Sequence, residues 1–426
     1  MDRREFGKLA LSAGAATAGA GEATVALAQT PAASASDAIK LPPELRAIFE
    51  QDYPRFSDAE YSRRRDLLAG VMEAAGVDHL LIVSALNVGN ATRWVTGWPG
   101  TNQALLLFRP GEKMVMYVEY HNHVPQARLI ARDVDVRWGE DKGIATVADE
   151  LGRRGGKRVG VIGPLSGPRW KALEAKFQVV SLDGEYTRLR INNKSDEEIA
   201  WLRVGAALSD AGMAALVGGT KPGMTEHEIG NMIERAYVGV GGANVIHFLG
   251  TTQMAAPDVC VPRQFTSRRK VQPGDFVFCE LSAAWWDYSG QVLRSFTVGT
   301  APTPLYEKLH RTAEAAFDAV TAVVHHGTTM QQIVDAASVI EDNGFTIYDD
   351  LMHGFGGGYF PPILGCRSRP AGPLPDMTLE ENMTVVVQPN VISPKDGAGV
   401  QVGELIRVTR SGFEKLHSAP RGFFQA

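Results

Sequence analysis

Residues 273–296 read PGDFVFCELSAAWWDYSGQVLRSF. The apolar run Phe276–Leu281 predicts a buried β-strand, and Ser295–Val298 predicts a second one. Glu280 lies inside the first run, where burial among apolar side chains raises the pKa of a carboxyl group. This stretch therefore predicts a sheet that carries a group suited to general acid or base catalysis.

Around this stretch, residues 191–426 are predicted to form an α+β domain. Ser195 or Asp196 caps a long amphipathic helix, and Thr225 opens a capping box for the next helix. Further elements follow from apolar periodicity. They are strands at Asn244–Leu249, Met383–Gln388 and Glu404–Thr409, and helices at Leu305–His326 and Met330–Asn343.

Residues 42–190 are predicted to form a smaller α/β domain, because helical and extended patterns alternate there. A charged helix is expected around Ser62–Gly76. Strands are expected at His79–Ser84, Ala104–Phe108, Met114–Glu119, Val159–Ile162 and Val179–Leu182.

The first residues are typical of an export signal. Arg3 and Arg4 precede a run of small residues from Leu9 to Ala20, and Ala26-Leu27-Ala28 offers a cleavage site. We interpret residues 1–28 as a twin-arginine signal and 29–41 as a linker, which predicts a periplasmic protein. The Gly/Ala-rich run is weakly apolar and Glu22 interrupts the region, so no membrane insertion is expected.

The charge and the cysteine content of the chain exclude some classes of function. The 426 residues include 43 Lys+Arg and 48 Asp+Glu, which gives a net charge of -5. Binding driven by a nucleic-acid backbone needs a strongly basic surface, so nucleic acid is not an expected partner. The three cysteines lack the spacing of a disulfide scaffold or a zinc site.

Several motifs occur in an order that resembles a known family. They are NVGNATRWVTG (87–97), KSDEEI (194–199), KPGMTE (221–226), PGD (273–275), GQVLRSF (290–296), MHGFG (352–356) and VTRSG (408–412). This series is similar to the pita-bread superfamily of creatinase, aminopeptidase P, prolidase and methionine aminopeptidase. The resemblance implies an N-terminal α/β domain, a C-terminal curved sheet around one active site, a small-molecule substrate and a homodimer.

The resemblance also locates the positions where metallopeptidases of this fold hold two metal ions, with two Asp, one His and two Glu. These positions are occupied here by Glu280, Gln291, His353, Gln388 and Gly403, with Glu404 next to the last. Amide oxygens are weak, uncharged ligands and glycine offers no side chain. We therefore expect no metal cofactor.

Creatinase has the same fold and works without metal, through a histidine and carboxylates. The corresponding window here, Gly250–Arg263, contains no histidine; His247 precedes it and Arg263 ends it. The dimethylsulfoniopropionate lyase of the superfamily is similar to this chain in this window and around Met352-His353, but it retains its acidic metal cluster.

The expected site residues have distinct roles. His353 is expected to carry protons because imidazole titrates near neutrality, and Glu280 is its expected partner. Other side chains are expected to bind substrate, the arginine by clamping a carboxylate and the aromatic residues by facing a ring or a cation. They are Gln291, Gln388, Glu404, Arg263, Trp285, Tyr288 and His247.

Three functions stay open from the sequence. The leading one is a metal-independent enzyme, a lyase or a creatinase-like hydrolase, that cleaves a C–N, C–C or C–S bond in a small, aromatic or carboxylated molecule. The second is an Xaa-Pro-type metallopeptidase with a degenerate metal site. The third is a non-catalytic ligand-binding protein.

Overall fold

The computed structural model describes residues 39–85, 91–100, 102–140 and 143–426. The predicted signal at 1–28 and most of the predicted linker at 29–41 lie outside these residues. Residues 86–90, 101 and 141–142 also lie outside them. Everything below concerns the described residues.

The first part of the chain forms a six-stranded mixed sheet in the order β4-β3-β2-β1-β5-β6. The strands are β1 (His79–Ser84), β2 (Ala104–Phe108), β3 (Met114–Val118), β4 (Val134–Trp138), β5 (Arg158–Ile162) and β6 (Gln178–Ser181). Strand β1 runs antiparallel to β2 and parallel to β5. Its alternate residues enter two separate apolar clusters, because successive side chains point to opposite faces of a sheet.

The first helix, α1 (Pro43–Phe49), packs against the helix Asp196–Gly219 of the second domain. Six further helices cover both faces of the six-stranded sheet and lead to the second domain. They are α2 (Asp58–Ala75), α3 (Ala91–Thr96), α4 (Val124–Ile130), α5 (Ile144–Arg153), α6 (Gly167–Glu174) and α7 (Asp183–Asn192). The predicted strands of this domain are close to the observed ones. Strand β4 was missed, and its sequence VDVRW alternates apolar and polar residues as an edge strand does.

The second part of the chain forms a nine-stranded curved sheet. Its main path is β12-β11-β13-β16-β9-β8-β7, with β17 beside β16 and β18 beside β9. The strands are β7 (Ala243–Gln253), β8 (Asp275–Trp285), β9 (Tyr288–Thr297), β11 (Met352–Phe355), β12 (Tyr359–Leu364), β13 (Thr384–Val387), β16 (Gly403–Val408), β17 (Phe413–Lys415) and β18 (Phe424–Gln425). A small sheet joins β10 (Thr346–Ile347), β14 (Val391–Ser393) and β15 (Ala398–Gly399).

Five helices pack against these sheets: α8 (Asp196–Gly219), α9 (Glu226–Val238), α10 (Pro304–Val323), α11 (Met330–Ala336) and α12 (Val339–Asp342). Capping boxes at Ser195 and Thr225 begin α8 and α9. The helix expected at Met330–Asn343 is instead the pair α11 and α12. Helix α8 is long and apolar enough to cross a membrane, but two thirds of its most apolar window is buried in the protein, as in the core helix of a globular domain.

Candidate active site

A chain of hydrogen bonds links buried polar side chains of β8, β9 and the end of β13. Gln291 Nε2 donates to Glu280 Oε1 at 2.6 Å and to Gln388 Oε1 at 3.1 Å. Gln388 Nε2 donates in turn to Asp350 Oδ1 at 2.8 Å. Gln401 Nε2 lies 3.5 Å from the other Glu280 oxygen. We call these five residues, together with Asp349 and His353, the Glu280 cluster.

Register explains why the two central residues meet. Antiparallel pairing places Ser282 opposite Gln291 and Glu280 opposite Leu293, so Glu280 and Gln291 point to the same face of the sheet. Their separation of eleven residues across the hairpin makes them diagonal neighbours. Gln388 joins them because it follows β13, whose neighbour β16 pairs with β9.

Asp349 and Asp350 lie where the cluster approaches solvent. Tyr359 OH donates to Asp350 Oδ2 at 3.1 Å, and Asn390 Nδ2 lies 3.3 Å from Asp349 Oδ2. Asp349 as a whole is exposed to solvent, but its carboxyl group points towards the buried side chain of Asn390. The ring of Tyr359 remains half-exposed beside them. Solvent therefore reaches the cluster from the side of these two aspartates.

Burial and crowding of like charges raise two carboxyl pKa values. The pKa of Glu280 rises from 4.5 to about 8, chiefly because the group is buried and further because Asp349 and Asp350 are near. Burial, with Asp350 as the next cause, raises the pKa of Asp349 to about 7. At neutral pH Glu280 is therefore mostly protonated and able to donate a proton.

His353 differs from its expected state. Burial lowers the pKa of its imidazole to about 4, although Asp349 and Gln388 favour the charged form. Nδ1 lies 3.2 Å from the Gly354 carbonyl, which only accepts, so Nδ1 carries the proton of the neutral ring. The ring stacks on Tyr359 with centroids 4.4 Å apart. The expectation of titration near neutrality is wrong for this ring, which is neutral at pH 7 and can accept a proton.

Two aromatic residues expected in the site face away from it. Trp285 is five residues from Glu280 and Tyr288 is three from Gln291, and odd separations on a strand place side chains on opposite faces. Trp285 packs on Phe49, with ring centroids 4.9 Å apart. Tyr288 OH donates to the buried Glu198 at 2.7 Å. Both therefore join the core and the domain junction, which corrects their expected substrate-binding role.

Glu404 is likewise outside the cluster. Its carboxylate accepts a 2.6 Å hydrogen bond from Arg294 Nη2, and both side chains are buried. Arg294 is three residues from Gln291 on β9 and so points to the other face. The placement of Glu404 among the substrate-binding residues is wrong because its charge is neutralised on the far side of the sheet.

His247 and Arg263 were also expected in the site, and the structure places both elsewhere. His247 pairs with Leu281 rather than Glu280 in register and lies 3.2 Å from Glu234 of α9. The Arg263 guanidinium lies between Asp258 and Glu226, at 3.6 and 3.9 Å. Arg263 therefore lies beside two carboxylates of its own chain and is not part of the hydrogen-bonded chain around Glu280.

Four polar residues of the site were missed by the sequence analysis. Asp349 and Asp350 precede Met352-His353 in the run YDDLMHG, and paired carboxylates so close to a candidate histidine were a usable signal. Gln401 lies two residues before Gly403, so strand alternation predicted the same face for it. Asn390 offered no comparable signal.

The donor set does not fit a two-metal cluster. Gln291 and Gln388 direct amide N–H groups at carboxyl groups, and Gly403 has no side chain. A Cβ atom at Gly403 would lie 2.5 Å from the Val387 carbonyl oxygen and 2.9 Å from Gln388 Cα, so this backbone leaves no room for a glutamate there. Within the described ranges, no group of three or more His, Cys, Asp or Glu side chains is arranged to hold a metal ion.

An α/β domain followed by a curved sheet with a polar cluster on one face defines a two-domain protein of the pita-bread class, which confirms the fold expected from sequence. Residues 64–192 match the family model of the creatinase/prolidase N-terminal domain, and residues 200–410 match that of metallopeptidase family M24. The chain belongs to this peptidase and prolidase-like family of enzymes.

Relatives and solved structures agree with the assignment. The chain is 25% identical over 361 residues to the uncharacterized peptidase YqhT of Bacillus subtilis (strain 168), covering 81% of this chain and 95% of that protein. It is 25% identical to the uncharacterized hydrolase/peptidase y4tL of Sinorhizobium fredii, with 87% and 97% covered.

Among solved structures, an X-Pro aminopeptidase from Thermotoga maritima MSB8 superposes with a TM-score of 0.74 at 19% identity, covering 85% of this chain and 99% of that one. An Xaa-Pro dipeptidase from Bacillus anthracis gives 0.74 at 20% identity, with 86% and 100% covered. At these identities the two structures establish the fold alone.

Proposed function

We propose that this protein is a metal-independent enzyme, a hydrolase or a lyase, that breaks a bond in a small organic molecule by acid/base catalysis. One observation carries the proposal. Two positions that bind metal in peptidases of this fold are glutamines here, and they hydrogen-bond a buried glutamate and a neighbouring aspartate. Such a cluster holds and moves protons without needing a metal ion.

The proposed roles follow from the protonation states. Glu280 donates its proton to the leaving group, and neutral His353 accepts one. In hydrolysis, His353 takes the proton of a water molecule whose oxygen bonds to the substrate. In elimination, it takes a proton from carbon, and the electron pair of that C–H bond forms the double bond as the leaving group departs. After Glu280 has donated its proton, Asp349 carries a proton from solvent back to it.

A metallopeptidase of the Xaa-Pro type is the second candidate, because the family model is that of metallopeptidases. In this second candidate, Glu280 and His353 would bind the metal ion, and further ligands would have to come from outside the side chains of the Glu280 cluster. Measurement of bound metal separates the two candidates.

Two further properties belong to the proposal. The twin-arginine pattern at Arg3-Arg4 supports a periplasmic location, and the family supports a homodimer. Fractionation of cells and sedimentation of the purified protein test them separately.

The decisive experiment is elemental analysis of the purified protein before and after chelation, with a thermal melt of each sample. We expect no stoichiometric divalent metal and no change in Tm. The same samples are assayed with Xaa-Pro dipeptides and with a panel of small amines, amides and hydroxy compounds. Stoichiometric metal, a chelator-induced fall in Tm and dipeptide turnover would overturn the proposal in favour of the peptidase.

A variant pair tests the proposed base. His353→Asn is expected to reduce turnover of any substrate found in the panel by about a hundredfold or more, the usual contribution of a general base. His325→Asn, on an exposed side chain, is the matched control and should keep full activity. Full activity in His353→Asn contradicts the assigned role, and ligand binding without turnover in the unaltered protein contradicts catalysis.

A further inference from the structure

A cavity of about 500 Å³ lies against helix α8, away from the Glu280 cluster. Arg294 of β9 contributes to its wall, and this side chain points to the opposite face of the strand from Gln291. The volume lies within the range of small-molecule sites, about 300–1,000 Å³. Among the described residues that line the cavity, none belongs to the Glu280 cluster. The cavity is therefore a separate candidate for ligand binding.

The lining of the cavity is mostly aliphatic. Small residues of α8 line it at intervals of three or four positions, which places them on one face of the helix and leaves space beside it. They are Ala207, Ala211, Ala214 and Gly218. Apolar residues near the end of the chain also line it, namely Ala419, Pro420 and Phe424. Because burial of apolar surface is favourable, this lining favours the hydrocarbon part of a ligand.

Two buried charged side chains in the wall already have their partners within the protein. Every N–H group of Arg294 donates to an oxygen atom of the chain, four to backbone carbonyls and one to a carboxylate. The Asp210 carboxylate lies 2.6–3.2 Å from the Ser418 and Ala419 backbone nitrogens, the Ser418 hydroxyl and His417 Nδ1. A polar group buried against them would lose its hydration without gaining a hydrogen bond. The buried part of a ligand here is therefore apolar.

The rim of the cavity carries a positive charge. Lys40 lines the cavity on an exposed residue, and within the described ranges it forms neither an ion pair nor a hydrogen bond. A carboxylate at the rim would pair with its ammonium group. Since exposed ion pairs contribute modestly, this pair selects the sign of the charge, and the hydrocarbon chain supplies most of the affinity.

We propose that the cavity binds a free aliphatic carboxylate of medium chain length, with its hydrocarbon chain along α8 and its carboxylate beside Lys40. Decanoate, at roughly 30 Å³ for each of its heavy atoms, occupies about 360 Å³ and fits the volume. The inference goes beyond the proposed function, because the cavity shares no lining residue with the Glu280 cluster among the residues described. It holds for either candidate activity.

Three probes test the proposal with the full chain, in calorimetric titrations at pH 7.5 and below the concentration at which each probe forms micelles. Decanoate has the chain and the negative charge, butyrate has the charge with a short chain, and decylammonium has the chain with a positive charge. We expect saturable binding of decanoate. Butyrate should bind about a thousandfold more weakly, because it lacks about six buried methylene groups. Decylammonium should bind about fivefold more weakly or less well still, because Lys40 repels it.

These titrations decide the proposal without any variant. No saturable binding of decanoate overturns it. Equal binding of decanoate and decylammonium, or of decanoate and butyrate, also overturns it, because neither the charge nor the chain would then be recognised.

Two variants locate the binding site. Lys40→Glu should weaken decanoate binding about fivefold or more, and Lys171→Glu on the exposed side of α6 is the matched control. Ala211→Phe fills the cavity and should weaken binding about tenfold or more, whereas Ala74→Phe on an exposed position of α2 should not. Unchanged affinity in Lys40→Glu contradicts this location. If a thermal melt shows that Ala211→Phe does not fold, Lys40→Glu decides the location alone.

A second copy of the chain is the other occupant that an apolar wall could accept. Sedimentation of the wild type with and without decanoate, and of Ala211→Phe, tests this. We expect one oligomeric state throughout. A change of state on adding decanoate or in the variant would identify the cavity as an interface between copies and overturn the inference. Metal content and turnover test the proposed function alone, so failure of one proposal is distinguishable from failure of the other.

Discussion

Replacing Glu280 with glutamine should change how the stability of this protein depends on pH. The wild-type carboxyl group has its pKa raised from 4.5 to about 8 in the folded protein. Between these pH values the folded state binds more protons than the unfolded state. The free energy of unfolding must therefore fall as pH rises through this window and level off above it. A glutamine cannot titrate, so the free energy of unfolding of Glu280→Gln should lack this dependence on pH.

The magnitude follows from the same numbers. Each unit of pKa corresponds to about 1.4 kcal/mol, so the full rise is on the order of 5 kcal/mol. Between pH 5.5 and 8.5 the wild type should lose on the order of 3 kcal/mol that the variant keeps. The side chain is 4% exposed, so solvent screens little of this effect. Asp349 also titrates, and its ionisation changes the free energy of unfolding in the same direction in the wild type and in Glu280→Gln. The difference in pH dependence between the two proteins is therefore assigned to Glu280.

Urea titrations at pH 5.5, 7.0 and 8.5, with and without chelator, give the free energies of unfolding. The control is Glu307→Gln on the exposed side of α10, which should follow the wild type. Equal pH slopes in the wild type and Glu280→Gln would refute the reasoning, because Glu280 would then ionise as easily in the folded as in the unfolded chain. A bound metal ion would have that effect, and chelation would then restore the slope.

Three other changes test separate features. Gly403→Ala should lower the free energy of unfolding by about 2 kcal/mol or more, because the new Cβ overlaps the Val387 carbonyl and Gln388. The control is Gly412→Ala, where the new Cβ has open space around it. In urea titrations this control should change the free energy of unfolding by about 0.5 kcal/mol at most. Glu404→Gln should cost about 3 kcal/mol, because the buried Arg294 guanidinium loses its carboxylate partner and keeps only backbone carbonyl acceptors; an unchanged free energy of unfolding in urea titrations would argue against this ion pair. Arg3→Lys combined with Arg4→Lys should keep the protein in the cytoplasm, since lysine does not reproduce the paired guanidinium groups; unchanged periplasmic recovery on fractionation would argue against a twin-arginine signal.

The sequence predicted elements well where local signals agree. Strands β1 and β2 have the predicted bounds because continuous apolar runs end at polar residues. Helices α8 and α9 begin at Ser195 and Thr225 because their capping boxes fix the first turn. Helix α11 ends early, at Ala336, where only the backbone of the folded protein shows the break.

The site was predicted less completely. Glu280, Gln291, His353 and Gln388 do lie together, but all eleven positions of β8 are buried, so the sequence of this strand gives no polar and apolar faces. Without that contrast, Trp285 and Tyr288 were assigned to the wrong face. Residue parity along the strand was the remaining signal, and it distinguishes them from Glu280 and Gln291.

By itself the sequence determined the family and the order of the two domains, since both depend on residue type and order along the chain. The tertiary structure decided which charges meet. Asp349 and Asp350 reach Glu280 only because the strands around them pair, and Arg294 removes Glu404 from the site only because both face the far side of the sheet. Protonation states depend on such distances and on burial, which chain order does not specify.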